Sequence, residues 1–141
     1  MTFTQPTPAP WTPPRGNDVE VVEVGHYWDA VRAPKAIGER TLELLGKQGG
    51  AAIADYCTMY WLISPGSAHY WQSIRQVQVL TTTTAELTFM GMPPGHWRSG
   101  PGLHWRIPVG PNRYLTDTER LRQALLLAAV VEFSSDEEAD R

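Results

Sequence analysis

Residues 18–46 read DVEVVEVGHYWDAVRAPKAIGERTLELLG, and this stretch decides the fold class. Val19, Val21, Val22 and Val24, interleaved with Glu20 and Glu23, have the composition of a strand. Tyr27 to Arg32 reads as a second extended segment closed by Ala33-Pro34, because a proline pushes the residue before it out of the helical region. Pro34 then suits a first helical position. Ile37, Thr41, Leu44 and Leu45 share one helical stripe and Gly46 is a stop, so the spacing predicts a short amphipathic helix over 34–46. Two extended segments and a helix, with further strands downstream, predict a single α+β domain over 18–133. Its sheet should be mostly antiparallel, with about five or six strands and two main helices.

Downstream, Gly50 to Asp55 and Met59 to Ser64 are β-prone runs separated by a few residues, which predicts a hairpin ended by Pro65-Gly66. Ala68 to Ile74 reads as a short helix bearing Tyr70 and Trp71, followed by strands at Val77 to Leu80 and Leu87 to Met90. The threonines at 81–84 suit a strand or a hairpin end; a phosphate-binding loop would need glycines and a helix start. Thr116 followed by Glu119 has the spacing of a capping box, in which hydroxyl and carboxylate each satisfy a free amide, and a helix is expected over about 117–132. Ala124 to Val131 is apolar on every side, so this helix is either deeply buried or shared with a partner subunit, a homodimer through residues 121–131.

The ends read differently. Residues 1–17 hold five of the twelve prolines and almost no aliphatic side chains, as in an extended, flexible arm. Trp11 is the exception, either a dangling aromatic or an anchor docking on a neighbour. Residues 134–141 form an acidic tail expected to be solvated.

The 141 residues, 42% of them hydrophobic, suffice for one core. A net charge of -3 argues against a protein that coats nucleic acid with its whole surface, since phosphate binding is largely electrostatic. Residues 66–115 nevertheless hold four arginines against one acid, Glu86, so a local basic face is compatible with the total. The single cysteine, Cys57, excludes an internal disulfide, and its apolar company of Ile53, Met59, Tyr60, Trp61 and Leu62 predicts a buried thiol. No charged-then-apolar leader opens the sequence, and the apolar run at 124–131 is too short for a bilayer, so a cytoplasmic location without membrane contact is expected.

The densest chemistry is a repeated tripeptide, His96-Trp97-Arg98 and His104-Trp105-Arg106, around Ser99-Gly100-Pro101-Gly102. Alternation would turn each tryptophan inward with histidine and arginine outside. Alternatively, indoles and guanidiniums form a recognition surface for a protein partner or nucleic acid, where one base–aromatic stack is worth about 1–3 kcal/mol. Catalysis has weaker support. The histidines at 26, 69, 96 and 104 lack the spacing of zinc sites, and Ser64-Pro65-Gly66-Ser67 lacks the glycine pattern of a nucleophile elbow. No cofactor is implied, and a non-enzymatic binding or regulatory module using these six residues is the leading expectation.

One resemblance bears on this. Tyr27-Trp28-Asp29-Ala30-Val31-Arg32-Ala33-Pro34, Leu44-Leu45-Gly46, Tyr60-Trp61-Leu62-Ile63-Ser64-Pro65-Gly66, Met92-Pro93-Pro94 and Gly100 to Pro108, in that order, resemble short actinomycete proteins. Those look related to the bifunctional primase/polymerase domain family. The resemblance spans roughly residues 24–125 and rests on order and pattern. It implies two acids one residue apart at a strand end, holding divalent metal for phosphoryl transfer, and a histidine on a following strand. The first acid falls on Asp29, but Val31 stands at the second and Met59 at the histidine. The resemblance therefore implies a reduced, non-catalytic relative; the alternative is a metal-dependent nucleotide-handling enzyme centred on Asp29.

Overall fold

The computed structural model describes residues 11–139; the first ten residues of the predicted 1–17 arm and the last two positions of the predicted tail lie outside the described residues. Among the described residues the chain forms seven strands and two α-helices. In order these are β1 (Glu20–Glu23), β2 (Asp29–Pro34), α1 (Lys35–Leu45), β3 (Ala52–Ala54), β4 (Thr58–Ile63), β5 (Gln78–Leu80), β6 (Phe89–Met92), β7 (His104–Ile107) and α2 (Thr118–Ala139). A single 3-10 turn, Gly46–Gln48, follows α1. The protein is an α+β domain with two main helices and antiparallel pairing throughout.

The strands divide into a central sheet of order β5-β2-β4-β3-β7 and a two-stranded ribbon, β1-β6. The expected β3–β4 hairpin is present, in the register Ile53↔Tyr60. The strands read at 77–80 and 87–90 do not pair with each other: β5 extends β2 at the sheet edge, whereas β6 pairs β1. The threonines between them form a polar turn in which the Thr83 hydroxyl accepts the amides of Ala85 and Glu86.

Alternation along β4 sorts the two cores. Met59, Trp61 and Ile63 face one side, where Ile37 and Leu45 of α1 and Leu121 and Leu125 of α2 close over them. Leu62 faces the other side, with Ile53, Trp28, Trp105, Met92 and Val24. The result is three layers, helices on sheet on ribbon. Three indoles, Trp28, Trp61 and Trp105, are fully buried. At about 25 cal/mol/Å² over roughly 200 Å² each, the upper bound is about 5 kcal/mol per indole.

Helix α1 lies very close to β4. A Cβ placed on Gly38 would sit 2.8 Å from Cβ of Met59, so only glycine fits the crossing. Leu44, expected on the buried stripe, is half exposed; Ile37, Gly38, Thr41 and Leu45 form the buried face instead.

Several local expectations are corrected. Residues 68–74 form no helix: turns run over 65–70, and 71–74 are irregular, with Ser67, His69 and Trp71 each donating their amide three residues back in a pattern that never propagates. The segment is polar except for Ala68, Ile74 and its aromatics, and Gly66 gives its amide to Asp29. The capping box is also replaced. Asp117 caps α2 by accepting the Arg120 amide at 3.0 Å, while the buried Thr116 hydroxyl accepts the Gly50 amide at 2.9 Å. Glu119 turns to Arg122 and Tyr70. The helix runs on to Ala139, through most of the segment read as a tail. Cys57 is exposed, at the β3–β4 turn where side chains leave the sheet.

The apolar half of α2 is neither wholly buried nor wholly free. Leu121, Ala124, Leu125, Ala128 and Ala129 pack inward, whereas Leu126, Leu127, Val130 and Val131 are exposed. An Arg40–Glu132 ion pair at 3.1 Å joins the two helices.

Candidate functional site

The two copies of His-Trp-Arg have different fates. The second lies on β7, where Trp105 is buried and donates its indole N–H to the Pro93 carbonyl at 2.9 Å. The first lies in the turn after β6, with Trp97 half-buried and His96 and Arg98 exposed. One backbone bond joins the copies, from the Trp105 amide to the Trp97 carbonyl at 2.7 Å. Arg106 leaves the set by pairing with Glu39 of α1 at 3.4 Å, and His104 turns its Nδ1 to the Gly102 carbonyl. The structure therefore brings His96 and Arg98 together but separates them from Arg106.

The Pro-rich arm completes this corner. Trp11 is docked, edge-on to Trp28 at 5.6 Å between ring centroids and tilted against Trp105 at 6.1 Å. The Gly95 amide donates to the Pro14 carbonyl at 3.0 Å, laying the arm beside the turn after β6. Between them runs a cleft of about 340 Å³ lined by Pro13, Arg15, His96, Arg98, Pro108 and Val109. Arg98 donates to the Gly95 carbonyl; among the described residues neither Arg15 nor Arg98 has a carboxylate partner. No acid lines the cleft. Arg15 was not singled out in the sequence, because its approach to residue 98 depends on the docking of Trp11.

A second hollow, of about 370 Å³, lies at the β5 edge of the central sheet. Its walls include Trp71, Ile74, Val77, Val79 and Gln78, and Asp29 lines it from the first position of β2. Asp29 is only 1% exposed. Its Oδ2 accepts the Gly66 amide at 2.7 Å, while its Oδ1, also buried, has no hydrogen-bond partner among the described residues. The hollow is braced by Tyr70, which donates to Glu119 of α2; the neighbouring Arg122 guanidinium, with that hydroxyl, holds the Glu119 carboxyl down at about 2.

The arrangement does not extend to the metal centre that the resemblance implies. Val31 and Met59 are both fully buried in the helix-side core and offer no metal ligand. Among the described residues no group of three or more His, Cys, Asp or Glu is placed to hold a metal ion. In the Ser64-Pro65-Gly66-Ser67 turn, the Ser67 hydroxyl lies against the Ser64 carbonyl and the Thr118 hydroxyl. Among the described residues no helix is long and apolar enough to cross a membrane. Comparisons with protein-family models, with curated proteins and with solved structures find no match to the chain.

Proposed function

We propose that this protein is a non-enzymatic binding module that recognises an acidic segment of a protein partner at the cleft between the arm and the turn after β6. The observation that supports this is the placing of Arg15, His96 and Arg98 around one cleft whose lining holds no carboxylate, Glu20 and Glu23 standing in the adjoining hollow without an ion pair to Arg15. Unpaired arginines offer planar donors to carboxylates, and the half-buried Trp97 beside them provides apolar contact. A protein partner is favoured over nucleic acid because Trp105 is withdrawn into the core and Arg106 is paired with Glu39. What remains is too small a basic surface to hold many phosphates.

Fluorescence anisotropy with a labelled oligoglutamate peptide and a labelled single-stranded oligonucleotide tests the reading. The expected result is saturable peptide binding that weakens at least tenfold in Arg15→Ala/Arg98→Ala and is unchanged in Arg113→Ala. Preference for the oligonucleotide, or a double variant that binds as before, would overturn it.

On the same reading the kinship is with a reduced, non-catalytic member of the primase/polymerase group, located in the cytoplasm, where the exposed thiol of Cys57 would stay reduced. The outer stripe of Leu126, Leu127, Val130 and Val131 supports a homodimer through α2 as a second property.

A further inference from the structure

We infer that the hollow at the β5 edge is a second binding site, for a small organic cation whose planar N–H donors meet Asp29. It shares no residue with the arm cleft and does not depend on the reading given to that cleft.

The argument begins with Asp29. A carboxylate oxygen withdrawn from water costs several kcal/mol unless hydrogen bonds replace its hydration, and buried polar groups without partners are correspondingly rare. Here one oxygen is satisfied by the Gly66 amide and the other by nothing among the described residues. The residue is held rigidly all the same. It opens β2, opposite Ile63 of β4, and the Gly25 turn packs against it from the ribbon side, where a Cβ on Gly25 would come within 3.9 Å of Oδ1. Nothing about strand formation requires an acid at this position, since Ala30 and Val31 beside it are apolar and fully buried.

The surroundings select the class of ligand. Among the described residues no lysine or arginine lines the hollow, and its one histidine, His69, turns Nδ1 to the Gly66 carbonyl and makes no bond to Asp29, so an anion would meet the carboxylate alone. A divalent cation would need several oxygen ligands, and this site offers a single carboxylate. An organic cation needs only one carboxylate, and its carbon frame suits the remaining walls. Trp71, Ile74, Val77 and Val79 supply an apolar and aromatic lining, and Gln72 and Gln78 stand among them as polar contacts. About 370 Å³ falls at the lower end of the range of small-molecule sites. An amidinium or guanidinium matches a carboxylate better than a point-charge ammonium, because two parallel N–H groups can reach one carboxyl.

Benzamidine, benzamide and benzoate share one frame and differ in charge and donors, so they serve as probes. Amide chemical shifts of the isotopically labelled full chain report binding at Gly66 and at the Trp71 indole. Benzamidine is expected to shift both signals saturably, at least tenfold more tightly than benzamide, with benzoate inert. Asp29→Asn should remove the preference for benzamidine over benzamide. Equal binding of the three probes, or an unaltered preference in Asp29→Asn, overturns the inference. If Asp29→Asn does not fold, Gln72→Arg decides, because Gln72 is an exposed residue lining the hollow and a guanidinium there adds a like charge against the ligand. Benzamidine binding should then fall at least fivefold, and unchanged binding in Gln72→Arg is the contrary result.

Discussion

Tyr114 keeps its hydroxyl in the interior without a hydrogen-bond partner among the described residues, and burial, with a smaller contribution from Tyr27, pushes its phenol from 10.0 up to about 12. The folded chain thus holds this proton after the unfolded chain has released it. Stability from the neutral phenol is complete below pH 10.0 and is lost as pH rises toward about 12. Tyr114→Phe removes an oxygen that bonds to nothing. Its urea midpoint should equal or slightly exceed the parent's at neutral pH, and its decline at alkaline pH should be shallower; an equally steep decline would refute the assignment. Glu119 has the opposite sign, since Arg122 lowers its carboxyl and its contribution fades as pH falls from 4.5 toward about 2, but solvent screens it. Cys57 shows what single-residue reading misses. Its apolar neighbours in sequence belong to two strands, and the residue at their turn points outward.

At the level of elements, strands and helices were legible where one periodicity dominated. The 34–46 helix, the hairpin at 50–64 and the C-terminal helix appear close to their expected places. Thr116 and Asp117 were both competent caps by chemistry, and the choice rests on Gly50, 66 positions away in sequence, whose amide takes the threonine hydroxyl. A Cβ on Gly50 would stand 2.6 Å from the Tyr114 carbonyl, so the two backbones meet there directly. Asp117→Ala should therefore cost about 0.5–2 kcal/mol in urea denaturation, the loss of a cap. Thr116→Val should cost about 1–3 kcal/mol by leaving the Gly50 amide buried and unpaired. A neutral Asp117→Ala would return the cap to Thr116. Residues 68–74 were misread as a helix because the bond that shapes the turns leading into them, from the Gly66 amide to Asp29, is also distant in sequence.

For the whole molecule, the layer arrangement was the least legible feature. Pairing β1 with β6 and β5 with β2 depends on which faces bury each other, and local patterns do not encode that. The candidate site followed suit: His96 and Arg98 were named from sequence, but Arg15 joined them only through the docked arm. The exposed stripe on α2 makes its own prediction. Val130 and Leu127 are 63% and 58% exposed, side by side on a long helix. Sedimentation equilibrium should give twice the 15.8 kDa chain mass, reverting to one chain in Leu127→Glu/Val130→Glu. A parent that sediments as a single chain would exclude the dimer.

The Trp11–Trp28–Trp105 cluster also sets an order of events during synthesis. Trp11 is made well before Trp105, which follows only after β1 to β6. Until then Trp11 lacks one of its two indole partners, so the nascent chain carries an incompletely covered indole while the intervening strands are made. Such late, long-range closure slows folding and leaves apolar surface open to chaperones. The arm around Trp11 is thus made before the surface it docks on and is among the last segments to find its place.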